Sequence, residues 1–117
     1  MITNINKGIT IAKNYKLCCS VLSQLRGLMF SPKKTLVFFF KKPKQVSLHM
    51  FFVFFPIDVA YLNKNMEVVE LKRNLKPFQI YAPKNKAQYI IETPVGNLKS
   101  TEIGDKIKIT FKNKPQF

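Results

Sequence analysis

Four side chains of this 117-residue chain have types suited to chemistry: Arg26, His49, Asp58 and Glu92. His49 is the only histidine. It shares with Asp58 the most apolar stretch of the chain, Ser47-Leu48-His49-Met50-Phe51-Phe52-Val53-Phe54-Phe55-Pro56-Ile57-Asp58-Val59-Ala60-Tyr61-Leu62. A carboxylate beside apolar strands needs a cationic or backbone partner to stay charged. The Arg26 guanidinium is the obvious cation, because its planar fork can hold a carboxylate through two bonds. Arg26 with Asp58 or Glu92 therefore reads in three ways. It is a buried ion pair holding a helix against a sheet, the polar lining of a ligand pocket that also takes in His49, or an enzyme site of unknown class using Asp58 and Arg26.

The enzyme reading has the least behind it. A hydrolase needs a nucleophile with a base beside it, and no GxSxG, HExxH or Cys/His signature occurs. The four glycines are isolated, so no phosphate-cradling loop is present. Cys18 and Cys19 are adjacent and form no CxxC pair. A structural disulfide between neighbours is geometrically disfavoured, and four metal ligands cannot be assembled from them. No cofactor and no metal are expected. His49 and Asp58 lie nine residues apart, so strict alternation puts them on opposite faces of a strand unless a bulge near Pro56 intervenes. A lone histidine in an apolar strand also reads as a hydrogen-bonded core or rim residue.

The elements that must position these groups are mostly strands. The central stretch, rich in aromatic and β-branched residues, reads as a strand buried on both faces, with Pro56 at a bulge, bend or edge. Before it, Ile9 to Lys13 alternates as a first strand, and Tyr15 to Cys19 can pair back on it after a turn at Asn14. Ser20 is a candidate N-cap. Val21, Leu22, Leu25 and Leu28 then recur at helical spacing, and Gly27 can close that helix. Leu36 to Phe40 reads as a buried strand, and Lys41-Lys42-Pro43-Lys44 as a charged turn that discourages edge pairing.

After the central stretch, Asn63-Lys64-Asn65 connects a hairpin into Met66 to Leu71. Residues 75–84 form a proline-punctuated loop. Ala87 to Thr93 is a further strand, ended at Pro94 to Asn97. Gly96 and Gly104 supply turn conformations closed to other residues, and the Asp105 side chain bonds to nearby amides. Ile107, Ile109 and Phe111 face inward in a last strand, and the tail from Lys112 frays. Met29 and Met50 read as core material. The sum is one domain spanning 1–117, mainly β, with about seven short strands and one short helix in an antiparallel barrel or sandwich.

Twenty basic residues face six acidic ones, a formal charge of +14. Such an excess draws polyanions, so a lysine-rich, nucleic-acid-associated protein is an alternative to a ligand- or protein-binding module. Against it, only Arg26 and Arg73 are arginines, and the lysines run from Lys7 to Lys114 without forming a block. Nonspecific attraction or a lysine-rich source accounts for the same charge. The aromatic residues fall in strands assigned to the core, which leaves no stacking platform. The N-terminus lacks the apolar core of a secretory leader. The apolar run Met50 to Phe55 is far short of the ~20 residues needed to span a bilayer. The chain is expected to be reduced and cytoplasmic.

The order of short motifs resembles a known family. Arg26-Gly27-Leu28-Met29-Phe30 precedes an apolar strand. His49-Met50 then leads to Pro56-Ile57-Asp58, followed by Leu75-Lys76-Pro77, by Tyr89-Ile90-Ile91-Glu92-Thr93-Pro94-Val95-Gly96, and by Gly104-Asp105. From about Ile9 to Ile109 this is similar to domain of unknown function 192, or uncharacterised protein family 0127, in its archaeal-type form. The resemblance implies a compact, mainly β domain with no established catalytic activity. It places the family signature on Arg26, Gly27, Met29, Met50, Pro56, Asp58, Glu92, Gly96, Gly104 and Asp105. Many members of that family carry tryptophan where this chain has His49, so the resemblance does not require a catalytic histidine there.

Overall fold

The computed structural model describes residues 1–18 and 33–111. The helix expected from Ser20 to Leu28 lies outside them, as do Cys19, Arg26, Gly27, Met29 and the tail from Lys112. Among the described residues there are ten strands and no helix: β1 (Ile2–Asn4), β2 (Ile9–Ala12), β3 (Lys16–Cys18), β4 (Leu36–Lys44), β5 (Leu48–His49), β6 (Ile57–Leu62), β7 (Val68–Leu75), β8 (Ile80–Tyr81), β9 (Ala87–Pro94) and β10 (Ile107–Ile109). They form a three-stranded sheet β10-β1-β2, a five-stranded sheet β3-β4-β9-β6-β7 and a two-stranded ribbon β5-β8. The arrangement is sandwich-like, mainly antiparallel, and not a closed barrel.

Pleating explains the layers, since alternate side chains of each central strand go to opposite faces. On one face Val37, Ala60, Leu62, Val68 and Ile91 meet Ile2, Ile11, Ile107 and Ile109 of the three-stranded sheet. On the other, Leu36, Phe38, Phe40, Ile57, Val59, Tyr61 and Ile90 pack with Met50, Val53 and Phe55, against which Leu48 and Tyr81 of the ribbon also lie. β6 and β9 are thus covered on both sides. All six residues of β6 are buried.

The central stretch is a continuous strand only in its second half. β5 covers two residues, residues 50–56 follow an irregular path, and β6 starts after Pro56. Pro56 has no N–H for a ladder, and Phe52 takes φ 59°, a conformation closed to strand geometry. Phe51, Phe52 and Phe54 are consequently exposed, whereas Met50, Val53 and Phe55 enter the core. Lys41 to Lys44, expected as a turn, continue β4 as its exposed end; a register shift follows Phe39 before Lys44 meets Ala87. β3 does not pair back on β2 but lies parallel to β4, Lys16 opposite Leu36. β1 and the short β8 carry too few residues for alternation to reveal them, and both are specified by their partners: Ile2 sits opposite Ile109 and Ala12, and Tyr81 opposite Leu48.

Buried aliphatic residues on β9 are predicted to carry the stability. Ile91→Ala should cost about 2–5 kcal/mol through lost burial and a residual cavity. In urea this reads as a lower midpoint with an unchanged slope. Val95→Ala, at an exposed site, should stay within about 0.5 kcal/mol.

Candidate functional site

Glu92 lies in the middle of β9, opposite Leu36 on one side and Val59 on the other. By alternation it shares the face of Ile90, on the side of the ribbon. It is buried, and no hydrogen bond or ion pair reaches it from the described residues. Burial pushes its pKa up to about 7. Desolvation disfavours the charged form, and no nearby cation or donor among the described residues offsets it.

Tyr61, one strand away, is fully buried, and its hydroxyl has no hydrogen-bond partner among the described residues. Burial raises its pKa well above the ordinary phenol value, and the charges of Tyr81, Glu92 and Glu70 add to the effect. Its ring lies 6.1 Å from that of Tyr81. The Tyr81 hydroxyl donates to Glu70, and burial followed by that bond pushes its pKa up to about 12.

Glu70 is the counterexample to Glu92. Burial alone would raise its pKa, but the bonds from Tyr81, Asn85 and Lys84 outweigh it and hold the carboxyl below its usual value. The Asn85 N–H and side-chain amide donate to Oε1 at 3.0 and 2.9 Å, and the Lys84 N–H at 2.9 Å. One face of the sheet therefore holds a fixed carboxylate, two tyrosines and a second carboxyl able to keep its proton near neutrality. No activated nucleophile sits among them, and the described residues form no group of three metal-ligating side chains.

Asp58 is elsewhere. It pairs with Thr93 and alternates with Val59, so it leaves the sheet on the face opposite Glu92. Its carboxylate accepts the Asn74 N–H and the Gly96 N–H, each at 3.0 Å. Both donors belong to residues with positive φ, 54° and 103°, which turns their amides inward. Asp58 ties the end of β7 to the turn after β9 through two backbone donors, while Arg26, the cation expected beside it, lies outside the described residues. His49 is exposed on β5. Its ring stacks on Phe51 at 5.2 Å, and its Nδ1 accepts the Phe51 N–H at 3.4 Å. The structure thus does not bring His49, Asp58 and Glu92 into one site, because alternation sends the two carboxylates to opposite faces. Gly104, with φ 94°, turns the chain beside Asp105. That carboxylate accepts from the Asn4 side chain and the Glu102 N–H, both at 2.9 Å, and faces Lys7 at 3.6 Å. The Asn4 bond, then the Glu102 bond, hold its pKa below the usual value.

Tyr61, Tyr81, Glu70 and Asn4 were not singled out by sequence. Tyr61 and Glu70 carry a hydroxyl and a carboxyl at positions that alternation assigns to a buried face, whereas Asn4 and Tyr81 lie on strands too short for alternation to mark.

The model of domain of unknown function 192 (DUF192, "Uncharacterized ACR") matches residues 4–109. The chain is 40% identical over 113 residues to a UPF0127 protein of Thermococcus sibiricus, covering 92% of this chain and 73% of that one. It is also 40% identical to a UPF0127 protein of Pyrococcus horikoshii, covering 92% and 97%.

The chain belongs to the DUF192 family.

Two crystal structures share the DUF192 fold seen here. A protein of unknown function from Novosphingobium aromaticivorans matches with TM-score 0.75 at 18% identity, over 81% of this chain and 74% of that one. A Sinorhizobium meliloti protein described as a candidate transcription regulator matches with TM-score 0.81 at 18% identity, over 92% and 88%. At that identity they show the fold alone. Among the described residues of this DUF192 chain no helix is long and apolar enough to cross a membrane.

Glu92 makes stability depend on pH in a definite sense. Between pH 4.5 and about 7 the folded chain keeps a proton that the unfolded chain has released. Stability therefore falls as pH rises through that window, by on the order of 3 kcal/mol in all. Urea titrations from pH 4 to 8 should show this slope in the parent and lose it in Glu92→Gln. At pH 8 the variant should be the more stable of the two. An unchanged slope would assign the titration to another group.

Proposed function

We propose that this DUF192 chain is a single-domain, cytoplasmic, non-catalytic binding module that docks an acidic protein partner on its β5-β8 ribbon. The observation that carries this reading is the set of large apolar side chains held outward there. Phe54 is 65% exposed and Ile80 66%, with Phe51, Phe52 and Phe78 also exposed beside them. Contiguous exposed apolar surface of this kind marks interaction sites, and aromatic side chains are enriched in them.

The display is built rather than frayed. The Met50 N–H donates to the Gln79 carbonyl at 2.8 Å, and the Phe78 N–H to the Met50 carbonyl at 2.9 Å. His49 stacks on Phe51, and Phe54 meets Phe78 edge-on at 6.3 Å. Phe52 and Phe78 both take left-handed φ, 59° and 65°, a cost that bulky residues bear where surrounding structure imposes it, often at functional sites. Lys44, Lys76 and Lys84 adjoin the ribbon in the chain and favour an acidic partner. The charge of +14 opposes pairing with a second copy. The buried thiol of Cys18 suits a reducing compartment.

Comparative cross-linking in native extract with Phe51→Ser/Ile80→Ser and with Lys108→Gln tests the reading. The expected result is one acidic protein retained by the parent and by Lys108→Gln and lost by the ribbon variant, whose melting temperature stays close to the parent's. Retention by the ribbon variant, or a self-dimer that the ribbon variant dissolves, would contradict it.

A further inference from the structure

Away from the ribbon, on the side of the three-stranded sheet, the end of β2, the start of β3 and the segment that enters β4 line a groove of about 540 Å³. Lys13 and Lys16 come from the β2–β3 segment and Lys33 and Lys34 from the segment before β4, with Thr35 and Asn97 also lining it. Lysines dispersed along the sequence are thereby gathered into one concave surface.

None of the chain's six carboxylate side chains lines this groove. Asp58 and Glu70 are taken up by backbone amides, and Glu92 is buried in the sheet. Glu67 accepts from Asn63, while Glu102 and Asp105 face Lys7. The ion pairs among the described residues are both made by Lys7. The four groove lysines consequently present uncompensated positive charge.

The form of the groove narrows its ligand. Among the described residues it offers no arginine fork and no run of backbone amides that would seat one phosphate tightly. Tyr15 lines it, but its hydroxyl donates to the Thr110 carbonyl at 2.7 Å and its ring packs edge-on against Phe111, so it is not presented as a stacking platform. Thr35 and Asn97 are bonded to Thr93 at 2.8 and 2.7 Å. What remains are four ammonium point charges lining one open groove, which suit the phosphates of a backbone and carry no base code. We propose that this groove binds the phosphodiester backbone of nucleic acid without sequence preference. The site is independent of the ribbon and of the partner proposed for it.

Anisotropy of a short labelled oligo(dT) with the whole chain tests this directly. Four phosphate contacts on a single strand give a log–log salt slope of about −2.8, or roughly fifty-fold weaker binding between 50 and 200 mM salt. Lys13→Gln/Lys33→Gln, one exposed lysine from each lining segment, should cut that to about seven-fold over the same range. Lys64→Gln/Lys86→Gln, with the same loss of charge outside the groove, should leave it near fifty-fold. Absence of binding at low salt overturns the proposal, as does equal flattening by both variants. Poly-L-aspartate displacing the oligonucleotide as well as unlabelled oligo(dT) would overturn the nucleic-acid assignment.

Discussion

The structure depends on the pairing of β6 with β9 under apolar cover on both sides. Six consecutive residue pairs, from Ile57 opposite Pro94 to Leu62 opposite Tyr89, run without a register shift. A one-residue slip would send every side chain to the wrong layer. Ile91, Ala60 and Leu62 would leave the three-stranded sheet, and Ile90, Val59 and Tyr61 would leave the ribbon side. Burial on both faces makes that register costly to change and gives the remaining elements a fixed base to cover.

The same pairing decides what happens to charge. Asp58 and Glu92 belong to adjacent strands and are close in the ladder, yet pleating carries them to different environments. Asp58 reaches two backbone donors at the sheet's end. Glu92, in mid-strand, finds no such donors among the described residues and pays in desolvation. Glu70 shows that burial alone does not decide the outcome. Four donors from the 81–85 segment reverse its effect. Donor supply, more than depth, separates Glu70 from Glu92.

Much of this was legible in the sequence, for physical reasons that can be named. Alternation over Ala87 to Thr93 and the turn at Asn63 to Asn65 identified β9 and the β6–β7 hairpin, because period two and turn chemistry are local properties. Ordered short motifs identified the family. The central phenylalanine run misled, because continuous apolarity does not separate a strand buried on both faces from a loop whose aromatic residues divide between core and surface. No local residue type announces the left-handed φ at Phe52. The parallel pairing of β3 with β4 and the convergence of Lys13, Lys16, Lys33 and Lys34 are tertiary facts. The pocket reading that grouped His49, Asp58 and Glu92 rested on their being the scarce polar groups near one apolar stretch, and the strand parity that already set His49 against Asp58 also parts Asp58 from Glu92.

A sheet with two covered faces and an added ribbon has a hierarchy of opening that amide hydrogen exchange reads strand by strand. Amides of β6 and β9 should exchange only through global unfolding, their protection tracking the free energy from urea, while those of β5 and β8 exchange through a lower-energy local opening. Equal protection of ribbon and central strands, or exchange of β9 by local opening, would contradict the claim that the β6–β9 pair is the foundation of the fold.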